Sequence, residues 1–409
     1  MKWGGAGLGP PPHPCGMRVR ELSGFAHRIL FQVLLLTLAA VGAQAHDPSA
    51  YGGVFRSRNL GGTWLSADTG LFLNAALVVA INPKNQAHLL AGTDLGVLAS
   101  RNGGLTWAPE ARDLMFGAVF AITFLNDGDG AICAAQSGVF RLYGGRWATA
   151  DVPEAAVPAR AIMPGASANR VYLLGRQHLF ISRDGGETFV TAPAASQTSA
   201  ISALTIARSE PEVLLAVIDG QVMASEDGGR QWRTRGLGRQ GDPVDQVAAD
   251  PHVPQRVWAA QAGRIYMSDD LGAAWRPVGG ALPEPATVVR DIAANAEATV
   301  LLVSSNRGLY RSENGGETWM LKEDNLPIHL EAGPLARDPG DAGLIYAVYS
   351  LMPYAEVWRL ASEGGNLLQR LDPISLAGGV AFWLLILLAG GWLAQRLLHR
   401  RAATTDDRT

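Results

Sequence analysis

From residue 54 to residue 348 one arrangement of apolar and polar positions returns along the chain. A short apolar run meets a turn signal, and a second apolar run follows. The clearest case is Val78-Val79-Ala80-Ile81, then Asn82-Pro83, then His88-Leu89-Leu90-Ala91. Val247-Ala248-Ala249 with Asp250-Pro251 and Val257-Trp258-Ala259 repeats it, as does Leu335-Ala336-Arg337 with Asp338-Pro339 and Leu344-Ile345-Tyr346. Weaker equivalents fall near 118–135, 160–174, 201–217 and 290–304. Short apolar runs bounded by turn residues predict paired β-strands, and the pattern predicts seven such inner pairs.

A more polar phrase stands between these pairs: a serine, an acid or amide, one or two glycines, and an aromatic. Its copies are Ser57, Asn59 and Trp64; Ser100, Asn102 and Trp107; Ser182, Asp184 and Phe189; Ser225, Asp227 and Trp232; Ser268, Asp270 and Trp275; and Ser312, Asn314 and Trp319. A worn copy ends in Gly144-Gly145-Arg146-Trp147. The closing aromatics lie 43, 40, 42, 43, 43 and 44 residues apart, and a fixed period of this size marks a repeat architecture. Each phrase predicts strand, tight turn, strand. The serine and the acid can bond amides of their own turn, the glycines accept positive φ, and the aromatic covers the turn with a large apolar face. Asparagine replaces aspartate in three copies, so the role is local hydrogen bonding, not charge. Leu60 and Leu271 stand where other copies have the first glycine, so that position tolerates a side chain.

These phrases resemble the Asp-box, or BNR repeat, of sialidases, the sortilin ectodomain and the photosystem II assembly-factor propellers. The resemblance covers roughly residues 52–360. It implies a β-propeller in which each box joins the third and fourth strands of a blade, away from the ligand-binding face. The chain starts with an outer pair, residues 53–65, and ends on an inner pair near 334–349. A ring resolves this offset, because the first outer pair can complete the last inner pair and leave only short, protected edges. The expected fold is therefore all-β: a seven-bladed β-propeller with a C-terminal single transmembrane helix. Glu356-Val357-Trp358-Arg359-Leu360 and residues 366–371 could add an outer pair of an eighth blade, or form a linker packed on the ring.

The ends carry different signals. Arg18, Arg20 and Arg28 precede the apolar run 29–41, and Ala43-Gln44-Ala45 is a small-x-small cleavage site. Residues 1–45 thus read as an N-terminal extension with a secretory signal peptide; an uncleaved anchor is the alternative. Residues 46–373 form the ectodomain. Residues 374–394 hold no charge over 21 positions, about 31 Å of helix, which matches a bilayer core. Arg396, Arg400 and Arg401 follow, so residues 395–409 read as a cytoplasmic tail. The expected location is a single-pass cell membrane protein with its body outside the cytoplasm, in the periplasm if bacterial.

Charge narrows the partners. The ends hold eight of the 34 basic and three of the 37 acidic residues, which leaves the body at −8. An acidic exported body argues against nucleic acid. Only Cys133 remains beyond the leader, so no internal disulfide can form. His88, His178, His252 and His329 are scattered without ligand spacing, and no metal or cofactor is expected. The sialidase resemblance would imply an arginine cluster and a Tyr-Glu pair, but Val54-Phe55-Arg56-Ser57 stands where that family carries Arg-Ile-Pro. Enzyme activity is left open, with a binding role favoured.

Links between blades should share one face with the turns between second and third strands. Arg112, Asp113, Arg233, Arg235, Arg239, Arg290 and Asp291 fall on or beside that rim, with Glu323 and Asp324. Arginine supplies directional contacts there. The expected function is a protein-binding or membrane-complex assembly module whose partner is membrane-associated, with the bilayer held through residues 374–394. A glycan-binding or sialidase-like protein is the alternative.

Overall fold

The structure is a computed structural model, and it describes residues 52–68, 73, 75–193, 200–238 and 242–363. The chain divides into Met1–Asp47 and Pro48–Thr409. The leader, the apolar stretch 374–394 and the tail 395–409 lie outside the described residues. Among the described residues no helix is long and apolar enough to cross a membrane.

Seven antiparallel sheets follow one another in sequence. Blade 1 spans Ala76–Asn82, Asn85–Thr93, Val97–Ser100 and Ala108–Glu110. Blades 2 to 6 begin with inner strands Val119–Phe124, Ala161–Pro164, Ile201–Ala207, Val244–Ala249 and Val289–Ala294, each followed by three more strands. Blade 7 joins the two ends of the chain. Its inner strands are Glu331–Ala332, Ala336–Arg337 and Ile345–Ser350; its outer strands are Gly53–Ser57 and Leu65–Ser66. The ladder runs from Gly53 opposite Tyr349 to Ser57 opposite Ile345. The expected closure and the count of seven both hold. Of the two stretches considered for an eighth blade, residues 356–360 belong to a helix, α1, Tyr354–Ser362, and residues 366–371 lie outside the described residues.

The second strands of the blades bury both faces because each sheet has a neighbour on either side. Val213–Ile218 is buried at all six positions, so the in-out alternation of a half-exposed strand is lost. The core is accordingly divided into seven apolar clusters, one for each pair of adjacent blades. Phe55 and Tyr349 meet edge to face at 5.5 Å within blade 7.

The boxes sit between third and fourth strands, and six share one geometry. The serine Oγ accepts the amide of the second glycine at 2.8–2.9 Å and donates to the Asp or Asn Oδ1 at 2.6–3.0 Å. That oxygen accepts an amide four residues on, at 2.9–3.0 Å. Partial burial alone would raise the Asp184 carboxyl, but bonds from Thr188, Ser182 and the Glu187 amide outweigh it and hold the group at about 2. The worn copy has no box. Gly144 and Gly145, both at positive φ, make a two-residue hairpin with Tyr143 opposite Arg146, the usual turn for such a loop.

The two box glycines are not equivalent. Both positions are left-handed, and Leu60 and Leu271 occupy the first at φ 52° and 56°. The second touches the preceding blade. A Cβ on Gly186 would lie 2.2 Å from Ile132 Cδ1, and one on Gly61 2.7 Å from Leu302 Cδ1. At Gly185 the nearest atom is the Arg141 guanidinium, 3.3 Å away, which can swing aside. Gly186→Ala is therefore expected to cost about 2–4 kcal/mol, from positive φ and overpacking together, and Gly185→Ala about 1 kcal/mol. Urea unfolding midpoints measure both; equal losses would remove the inter-blade contact as the cause.

Candidate functional site: the axial mouth

The links between blades and the turns between second and third strands open on one end of the ring, the mouth face. The boxes lie on the other end, the box face. Five inner strands carry a register break near the mouth, so one residue of each is left out of its ladder: Leu77, Phe120, Ser202, Asp245 and Arg290. Such bulges re-aim a side chain. Repeated around the ring, they furnish a collar of side chains that is apolar on blades 1 and 2 and polar on blades 4 to 6.

Helix α1 covers the apolar half. Tyr354, Val357, Trp358 and Ala361 share one side at helical spacing. On the other side Arg359 bonds both Glu356 and Glu363. Val357 and Ala361 pack with Leu77, Ala118 and Phe120 in a cluster of their own. The Phe120 ring meets Tyr354 at 5.1 Å and Trp358 at 4.9 Å, both edge to face. Arg160, just ahead of the inner strand of blade 3, lies 4.2 Å over Trp358, and Arg290 lies 4.8 Å over Tyr354, cation–π contacts in form. Glu331 pairs with Arg290 and accepts the Tyr354 amide at 3.0 Å. Burial pushes the Tyr354 hydroxyl up to about 12, against the opposing pull of Arg290 and Arg160.

The polar half stays open. Ser202 is exposed, and Asp245 and Gln246 are half-buried. Burial, with a smaller push from Asp242, raises the Asp245 carboxyl to about 6. Deeper in the ring Arg337 donates to the carbonyls of Ala249 and Ile292, at 3.2 and 3.0 Å, and lies 3.5 Å from Asp291. Asp291 Oδ2 accepts the Leu335 amide at 3.2 Å. Burial raises its carboxyl, opposed by Arg337 and by the amides of Ile292 and Leu335.

The rim residues expected from sequence fall in separate places. Arg112 and Asp113 are exposed on the link after blade 1. Arg233 and Arg235 belong to the outer edge of blade 4, where Arg235 pairs with Glu226 of the box turn at 3.0 Å. Arg239 lies outside the described residues. Arg290 is beneath α1, and Asp291 is a buried tie between blades, not a rim group. What sequence reasoning missed is the collar, whose only signal is that each bulge residue opens an inner strand, and α1, whose signal was the spacing of Tyr354, Val357, Trp358 and Ala361.

A Tyr-Glu pair with an arginine does exist. Tyr172 donates to Glu212 at 2.8 Å, and Arg170 lies 3.9 Å from the same carboxylate. The group sits beside the box of blade 4, since a Cβ on Gly228 would lie 3.3 Å from the Tyr172 hydroxyl. Burial, then the Glu212 carboxylate, pushes the phenol up to about 12, opposite to what a nucleophile needs. Its geometry is that of an inter-blade tie.

Residues 140–325 match the family model described as photosynthesis system II assembly factor YCF48. The chain is a BNR-repeat β-propeller. The fold of this BNR-repeat propeller is similar to that of YCF48 bound to D1 peptide, at 16% identity and TM-score 0.52, over 68% of this chain and 93% of that one. YCF48 from Cyanidioschyzon merolae gives 14% and 0.53, over 68% and 97%. The GH74 xyloglucanase from Xanthomonas campestris gives 16% and 0.50, over 69% and 54%. At such identities the likeness is one of fold. No curated protein matches the chain.

The raised Asp245 carboxyl has a stability consequence. Its unfolded value is near the ordinary 3.9 or so, so the folded protein binds the extra proton between about pH 4 and 6. Stability therefore falls as pH rises through that window, and the cost persists above it. Asp245→Asn is expected to raise the melting temperature at pH 7.5 and to leave it unchanged at pH 4. Scanning calorimetry at the two pH values checks this; an equal shift at both would rule out the charge as the cause.

Proposed function

We propose that this chain is a membrane-anchored, extracytoplasmic propeller that binds a protein segment at the open half of its mouth and serves assembly of a membrane complex. One observation carries the reading: α1 packs on the apolar half of the collar, while Ser202 is exposed and Asp245 and Gln246 are half-buried on the polar half. A half-collar of polar groups left uncovered suits a short extended segment, which would gain directed hydrogen bonds there. A propeller of the same architecture, YCF48, has been solved with a peptide bound, which supports a protein ligand for this fold without naming one here. The leader at 1–45 and the uncharged stretch 374–394 support export and anchoring, with 395–409 left in the cytoplasm. The partner is then a membrane protein exposing a terminus or loop on the outer side.

Photocrosslinking in native membranes tests the reading. A benzophenone side chain at Ser202 is expected to capture a protein, identified by mass spectrometry, while the same group at Leu105 on the box face captures none. Capture at neither position, or the same products at both, would remove the mouth as the binding site.

A further inference from the structure

The large apolar side chains left exposed are unevenly placed. Leu95, Phe116, Val288, Ile328, Leu351 and Met352 are 74, 63, 45, 51, 46 and 39% exposed, and all six lie on links or turns of the mouth face. The box face has Leu105 and Tyr143, and the other four, Leu65, Val190, Met320 and Leu321, lie on outermost strands. A soluble ring would gain nothing by grading its ends in this way. Exposed apolar groups concentrated on one surface mark a contact.

The occupant follows from where the chain leaves the ring. Helix α1 is seated on the mouth, and ten residues, 364–373, separate Glu363 from the stretch 374–394. Ten residues reach at most about 35 Å. A path to the box face must cross the width of a four-stranded blade and then its height, about 40 Å in all at ordinary strand spacings. The linker would be stretched taut to get there, whereas the mouth face is at hand. Arg112, Asp113, Glu323 and Asp324 put charges of both signs among the apolar groups, so attraction to anionic lipid is not what holds the surface.

We infer that the mouth face is turned toward the bilayer and that its apolar side chains, Phe116 and Ile328 foremost, rest in the interfacial zone of the membrane that holds the anchor. Side chains of this kind gain free energy by leaving water for the headgroup–acyl boundary. The inference rests on the anchoring proposed above. It also sets what the mouth can reach: segments that emerge from the same membrane within a few residues of its surface.

The test uses the full chain with Cys15→Ser; the other cysteine, Cys133, is buried. Single cysteines replace Phe116, Ile328, Leu105 and Tyr143, and each carries an environment-sensitive fluorophore in phosphatidylcholine nanodiscs with nitroxide-labelled lipid. Loss of emission at 116 and 328, with none at 105 and 143, is expected, and Phe116→Cys and Ile328→Cys should respond alike at low and high salt. Equal behaviour of all four, or shielding of 116 and 328 only when a partner protein is added, overturns the orientation. Alkaline carbonate extraction separates the two readings. A protein that resists extraction keeps its anchor whatever the fluorophores report; a protein that is released has none, and the orientation falls with it.

Discussion

The ring is held shut by five residue pairs, Gly53–Ser57 against Ile345–Tyr349. Without them blade 7 would lose its two outer strands, and the second strand Ile345–Ser350 would present an unpaired edge. The loss would spread to both sides, since Phe55 and Trp64 belong to the cluster shared with blade 6, and Val54 and Ala67 to the cluster shared with blade 1. Two of the seven inter-blade cores therefore depend on a strand that lies first in the described chain. With no disulfide among the described residues, this ladder is the fastener, and it converts a stack of similar sheets into a single cooperative body.

Between the other blades the boxes do comparable work. The second glycine admits the preceding blade, and in three boxes the closing tryptophan reaches back to it. Trp107 donates to the Ala67 carbonyl at 2.7 Å, Trp275 to Arg235 at 2.8 Å and Trp319 to Gly280 at 3.3 Å, each on the outer end of the blade before. An arginine one residue ahead of the box serine reaches forward: Arg56 to the Gly103 carbonyl and Arg311 to that of Leu60. Where the box is lost, Trp147 still reaches back, to Glu110 at 3.0 Å. At Arg311–Trp319 the phrase is thus a two-way joint as well as a turn.

Much of this was readable from residues alone because it rests on local rules repeated many times. The period, the box turns, the paired runs and the offset between the first outer and last inner pair each recur or follow from counting. The collar was not readable, since a bulge is a choice of register made by two strands together, and nothing at Leu77 or Asp245 alone announces it. In the sequence, residues 356–360 stand between an outer pair of an eighth blade and a linker packed on the ring, because Glu356 to Leu360 is too short to separate a period of 2 from one of 3.6; adding Tyr354 and Ala361 decides for the helix. Arg233, Arg235 and Asp291 were placed on a rim by their position on or beside the links between blades, which does not tell where strand gives way to link.

The asymmetry of the mouth has a physical origin in that collar. A ring of identical bulges would present identical side chains, and its opening would be either wholly apolar or wholly polar. Here blades 1 and 2 contribute Leu77 and Phe120, and blades 4 to 6 contribute Ser202, Asp245 and Arg290, so a helix from the same chain can be seated without closing the opening. Arg290 stands at the boundary, with its charge shared between Glu331 and the Tyr354 ring. A carboxylate kept at Asp245 despite its burial penalty is a cost the fold does not need for closure, since blade 5 packs through Val244, Val247 and Ala249. Polar groups retained at such a cost, on the half of the collar that α1 does not cover, leave directed hydrogen-bonding capacity at one side of the mouth.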